Sequence, residues 1–196
     1  MKVYRLSRVP ERFMTAGIDT VNLIEQLGGD VDTMLPIVLE TLEKDEPMAS
    51  FWKEGITSEF RPLSPASTEN PEISLWESRM VSLLLNARAY DAFKDRLAPE
   101  GEFLPVTVDG EPMHIFNCLS YAKEDESLCV RRYVDGELAV GLETLFFDDE
   151  DVAGRFLFKS KLQGGSELYC SYSFKALCEE VGLKGLRFDE DLLSPF

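Results

Sequence analysis

His114 and Cys118 are the two residues whose types come nearest to a nucleophile and its base. His114 is the chain's single histidine, and an imidazole is the usual general base near neutral pH. Cys118 follows four positions later in a stretch that reads as a strand, so both side chains can face the same side. A nucleophilic pair also needs a third group to orient the base, and donors for an oxyanion. Neither has a signature here. A partly buried, hydrogen-bonded histidine is the commoner role, and no catalytic residue is expected.

Carboxylates are the other chemistry on offer. Counting them neither supports nor excludes paired acids of a glycosidase kind, because charge runs usually mark solvated faces. The densest run is Asp148-Asp149-Glu150-Asp151, followed by Glu124-Asp125-Glu126. The first lacks the alternating Asp-x-Asp-x-Asp-Gly pattern and distal Glu of a calcium loop. Cys118, Cys129, Cys170 and Cys178 include no Cys-x-x-Cys pair and have one histidine for company. Zinc would have to draw on carboxylates, so free, mostly buried thiols are expected and no metal. Neither Gly-x-Gly-x-x-Gly nor a phosphate loop ending in Gly-Lys-Ser/Thr occurs, and no cofactor is expected.

What remains for the acids is a partner. Two stretches are the best candidates for a partner-binding surface: Glu40, Glu43, Asp45 and Glu46, and Phe147 with Asp148, Asp149, Glu150 and Asp151. On a strand, one of Phe146 and Phe147 must point away from the core. Phe51, Trp52, Trp76 and Phe196 could be interface anchors or core; the sequence leaves both open.

Several elements must hold these groups. Val3, Tyr4 and Leu6 suggest an opening strand. Ile18 to Leu27 reads as a short helix capped by Asp19, ended by Gly28-Gly29. From Val31 to Glu46, Leu35, Val38, Leu39 and Leu42 share one helical face; with Asp32 or Thr33 as cap, Pro36 falls in the first turn. Pro62 to Pro71 is loop by composition. A unit then occurs twice. Met80–Leu85 meets Asn86 and a helical pattern over Ala89, Ala92, Phe93 and Leu97; Leu168–Cys170 meets Ser171 and the same pattern over Phe174, Leu177, Cys178 and Val181. Asn and Ser are helix N-caps. Between the two units lie strand candidates turned by Asp109-Gly110 and Asp135-Gly136.

Meandering strands with a few amphipathic helices predict an α+β fold with an antiparallel or mixed sheet. Residues 1–75 form an N-terminal strand plus an acidic helical region, expected to pack on an α+β domain over 76–196, because its apolar helical face must be buried somewhere. Thirty-six acids against 20 bases give a net charge of −16 over 196 residues. That field repels nucleic acid and anionic membrane and attracts a basic partner, although it also serves solubility. No long apolar segment follows Met1 and none is long enough to span a bilayer. The expectation is a cytoplasmic protein.

A series of short segments carries a resemblance. Asn86–Leu97 resembles a strand–cap–helix unit, Gly101-Glu102-Phe103-Leu104-Pro105-Val106 a Gly-Glu-hydrophobic-Leu-Pro-Leu segment, and Ile115-Phe116-Asn117 a Leu-Phe-Asn step. Phe156-Leu157-Phe158-Lys159 resembles a hydrophobic-Phe-Lys step. Ser171–Phe174 and Gly182-Leu183-Lys184-Gly185-Leu186-Arg187-Phe188 resemble a closing helix and Gly-Leu-x-Gly-hydrophobic-x-Phe strand. In this order and spacing, over about residues 80–190 and with Lys2-Val3-Tyr4 at the start, they resemble a family of bacterial immunity proteins from polymorphic toxin systems. Residues 10–75 depart from its pattern.

The resemblance implies a non-enzymatic protein that binds and neutralises a cognate toxin. If that toxin is a basic nuclease, an acidic inhibitor can cover its phosphate-binding surface. The motifs are structural in character and transfer no catalytic residue. Two alternatives stay open: a small hydrolase using Cys118 and His114, and a regulatory module with another basic partner.

Overall fold

Side-chain caps start the first helices. In the computed structural model, which describes residues 1–135 and 138–193, the Asp19 carboxylate accepts from the Asn22 amide at 3.0 Å and starts α1 (Thr20–Gln26). Asp30 accepts from both the amide and the hydroxyl of Thr33 and starts α2 (Val31–Glu43). The cap is therefore Asp30, not Asp32 or Thr33, and Pro36 lies inside the helix, beyond its first turn. Its missing amide leaves the Asp32 carbonyl without an intrahelical donor, a loss water can make good because Asp32 is exposed.

Two five-stranded sheets carry the fold. In the first, β1 (Val3–Arg8) lies between β12 (Leu186–Asp189) and β11 (Tyr169–Ser171), and β10 (Leu157–Ser160) follows β11; all these pairs are antiparallel. β7 (Tyr121–Ala122) closes that sheet in parallel with β10. In the second, β5 (Gly101–Val108) and β6 (Glu111–Cys118) form a hairpin flanked by β4 (Ser82–Leu85) and β3 (Ile73–Leu75), all antiparallel. The short β2 (Thr57–Ser58) runs parallel to β5. Asp109 and Gly110 turn the hairpin with φ of 49° and 84°, as a type I′ turn requires. The fold is α+β.

Both repeated units form as the sequence predicts: β4, Asn86, α3 (Ala87–Leu97) and β5; then β11, Ser171, α5 (Tyr172–Val181) and β12. They differ at the cap. Asn86 accepts from the Ala89 amide at 2.9 Å, whereas the buried Ser171 hydroxyl makes no cap bond and has no partner. Gly182 ends α5 with φ 72°, and the Leu183 amide closes onto the Cys178 carbonyl at 2.9 Å. Alternation along β4 sends Leu83 and Leu85 into one core and Leu84 into another. The first core joins α3 and α5 to both sheets through Phe93, Phe116, Leu157 and Phe174.

The second core answers where residues 10–75 go. Ile18, Leu23, Ile24 and Val38 bury against Leu84, Leu104, Val106 and Ile115 of the second sheet, with Leu35 and Leu42 packed at the edge. Glu102 clamps the same junction, accepting from the amides of Met48 (2.6 Å) and Ala49 (3.0 Å) and from Asn117 Nδ2 (2.7 Å). Phe51 and Trp52 pack against this core, Trp76 lies within it, and Trp52 Nε1 donates to the Pro105 carbonyl at 2.7 Å. Trp76 is core, and Phe51 and Trp52 are half-buried against it. Phe196 lies outside the described residues, as do Gly136 and Glu137.

The third core holds Ala122, Leu142, Leu145, Phe147, Val152, Phe158 and Tyr169. From it projects a two-stranded hairpin, β8 (Val130–Val134) with β9 (Leu138–Thr144), that joins neither sheet. A one-turn helix, α4 (Asp149–Val152), follows. No helix among the described residues is long and apolar enough to cross a membrane.

Candidate functional site

Cys118 and His114 do not meet. Four residues along β6 place them roughly 13 Å apart at about 3.3 Å per residue. The Cys118 thiol is buried against the carbonyls of Ser120 and Leu157, and burial pushes it up to about 12, far from a thiolate at neutral pH. His114 stacks on Tyr90, with ring centroids 3.8 Å apart and 11° between planes. Its buried Nδ1 has no hydrogen-bond partner, so stacking and not a hydrogen bond holds the ring. Burial holds its pKa below the usual imidazole value.

The two acidic stretches, remote in sequence, converge on one short segment, residues 121–124. Asp45 accepts from the Tyr121 hydroxyl. The Lys123 ammonium and carbonyl both bond Asp148, its side chain and amide respectively, each at 2.9 Å. The Lys123 amide reaches Asp151 at 2.9 Å. A bridge between Glu124 and Phe147, and the bond from the Asp125 amide to the Phe146 carbonyl (2.9 Å), bring the run at 124–126 beside the run at 148–151.

Several of these acids are already occupied. Asp148 caps α4 and pairs with Lys123, which holds its carboxyl below the usual range. Asp149 pairs with the Met1 amino group. Asp151 is gripped by Arg155 through two bonds of 2.7 and 2.9 Å, and that guanidinium lowers its pKa. Glu40 pairs with Lys44. Asp148, Asp149 and Asp151 are thus spread over different partners, and no trio of His, Cys, Asp or Glu among the described residues is placed to hold a metal ion.

Asp45 and Phe147 depart most from the expected surface. Asp45, with φ 52°, pairs with the ammonium of Lys159, a lysine with no solvent exposure, whose cation lies 4.8 Å from the Tyr121 ring centroid. It ties residue 45 of the N-terminal region to the first sheet. Phe147 is core: it packs edge-on to Phe158 with centroids 5.1 Å apart, and Phe146 takes the outward place at 47% exposure. Phe147 therefore gives a partner nothing to touch. Among the described residues, Glu43, Glu46 and Glu150 are exposed and make no ion pair, and the same holds for Glu126 and Glu143.

A cleft of about 910 Å³ beside α1 is polar, but its groups serve one another. Gln26 bonds Asn22 and Thr57, Arg61 pairs with Glu77 at 2.7 Å, and Ser58 donates to the Gly17 carbonyl. A second cleft, of about 440 Å³, lies between the chain start and the end of β9. Glu143, Asp149, Glu190 and Asp191 line it together with Leu145 and Phe146.

Sequence reasoning missed the apolar side chains on and beside the hairpin. Leu128, Val130, Tyr133, Val134 and Phe146 are 46–52% exposed, a concentration found nowhere else among the described residues. The signal was available: Val130, Tyr133 and Val134 occupy both parities of one strand, and a strand with a single buried face alternates. No protein-family model matches the chain, and no curated protein matches it.

Proposed function

We propose that this chain is a non-enzymatic immunity protein that binds a cognate, basic toxin protein and neutralises it in the cytoplasm. The observation that carries the reading is the convergence of two acidic stretches on residues 121–124, with exposed carboxylates left unpaired around them. Such a face attracts a basic protein and repels nucleic acid and anionic lipid. The resemblance of residues 80–190 to immunity proteins supplies the biological setting.

The motif residues also make sense as scaffold. Gly182 takes a left-handed cap, a Cβ on Gly185 would collide with the Ile73 carbonyl oxygen, and Glu102 and Asn117 form the clamp on Met48 and Ala49. A hydrolase built on Cys118 and His114 would need the two within hydrogen-bond reach, and their places along β6 keep them apart. The test is co-expression with the toxin domain encoded by the neighbouring reading frame. Growth should be rescued and a complex should co-purify. A neighbouring frame encoding a neutral or acidic protein, or a toxin whose lethality is untouched, would overturn the proposal.

A further inference from the structure

The β8–β9 hairpin is built to be covered by something. Among the described residues β8 pairs with β9 and with no other strand, so its second edge faces no strand. Neither face of β8 meets a core: Val130, Arg131, Tyr133 and Val134 are exposed and Arg132 is half-buried. β9, by contrast, is rooted through Leu142, at 4% exposure, in the third core. At the root, the Thr144 hydroxyl donates to the Leu128 carbonyl (2.8 Å) and accepts from the Val130 amide (2.9 Å). Cys129 bonds the main chain of Phe146 on both sides. The root is fixed and the arm stands off it. An open strand edge flanked by apolar side chains is the usual template for strand addition.

We infer that the β8–β9 hairpin is the docking arm, and that its open β8 edge adds a strand to the sheet of a basic protein partner. The inference rests on the reading proposed above and names the surface that serves it. Charge decides the occupant. Over residues 130–144 the arm carries Arg131 and Arg132 against Asp135, Glu137 and Glu143, a net −1. Its root carries more acid: Glu124, Asp125 and Glu126 lie on one side, and the 440 Å³ cleft beside Phe146 sets Glu143, Asp149, Glu190 and Asp191 against Lys2 and the Met1 amino group, which pair with Glu190 and Asp149. An apolar arm of nearly neutral charge beside an acidic root suits a partner whose edge strand is apolar and whose flanks carry Lys or Arg.

A second copy fits poorly. Each copy carries −16, and antiparallel pairing of β8 with itself about its middle residue would set Arg132 against Arg132, a destabilising like-charge pair.

The probe is the purified basic toxin domain encoded beside this chain's gene. In its complex with the intact protein, the amides of β8 that point away from β9 should gain protection from hydrogen exchange. Tyr133→Asp with Val134→Asp should weaken binding by about a hundredfold, with an unchanged thermal midpoint. Val21→Asp and Tyr172→Asp, at exposed apolar positions elsewhere, should stay within about threefold of the parent. If the parent binds the domain while β8 gains no protection and the double variant binds equally well, the arm is not the docking element, and the proposed function stands without it. If the parent does not bind, both fall. A parent that sediments as a dimer, with a monomeric double variant that still binds the domain, would assign the arm to self-association and overturn the inference.

Discussion

Lys159 has no solvent contact, and its ammonium is answered by a carboxylate 114 positions away in the chain. Such a pair stabilises little relative to an apolar replacement, but removing one partner strands the other charge. Asp45→Asn keeps the left-handed backbone, which asparagine tolerates, and can keep a bond to Tyr121. It leaves Lys159 uncompensated. The expected loss is about 2–3 kcal/mol, below the ~3–5 of a fully buried pair because solvent screens a partly exposed carboxylate; the Asp45 side chain is 30% exposed. Adding Lys159→Met should restore most of it, read from urea midpoints; a neutral Asp45→Asn would show that the ion pair is not what seats residue 45. His114 permits a second test, because it is the chain's single histidine. Burial lowers its pKa in the fold, so the unfolded chain takes up its proton first as pH falls. Stability from this residue is complete above the unfolded value, near 6.5, and declines as pH drops from there through the folded pKa. His114→Gln should flatten the thermal midpoint between about pH 7 and pH 5 relative to the parent. Parallel curves would place the pH response elsewhere.

At the scale of elements, what was legible in the sequence is what is written locally. Asn86, Gly110 and Gly182 each fix a cap or turn with neighbours a few residues away, so both strand–cap–helix units and the β5–β6 hairpin could be read in advance. The pairing of β1 between β11 and β12 could not, because its partners lie some 165 to 185 residues on and no local preference names them. The same holds for the site. The acidic runs were visible; their convergence on residues 121–124 depends on β7 joining β10. Phe146 and Phe147 could be told apart only by which one the third core claims. Even the repeat conceals a difference. Asn86 makes its cap bond, while the Ser171 hydroxyl is buried and unpartnered. Asn86→Ala should therefore cost about 1 kcal/mol, the usual worth of a cap. Ser171→Ala should be neutral or stabilising, since it removes an unsatisfied polar atom. Equal losses in chemical denaturation would show that Ser171 does cap α5.

Over the whole molecule, charge acts at a distance that no single contact covers. A net −16 on 196 residues raises the encounter rate with a basic protein and is screened by salt beyond a Debye length of about 8 Å at physiological ionic strength. In the proposed docking, the apolar arm acts after encounter, by slowing departure. The two contributions should therefore separate kinetically. Glu43, Glu46, Glu126, Glu143 and Glu150 are exposed, so changing all five to Gln alters charge with little effect on packing and takes the net charge from −16 to −11. Association with the basic toxin domain should slow by roughly tenfold at low salt and lose part of its salt dependence, while dissociation stays nearly constant. The arm substitutions should do the opposite, speeding dissociation and leaving association nearly intact. An association rate indifferent to both salt and the five glutamines would mean that the acidity serves solubility alone, and that recognition rests on apolar contact.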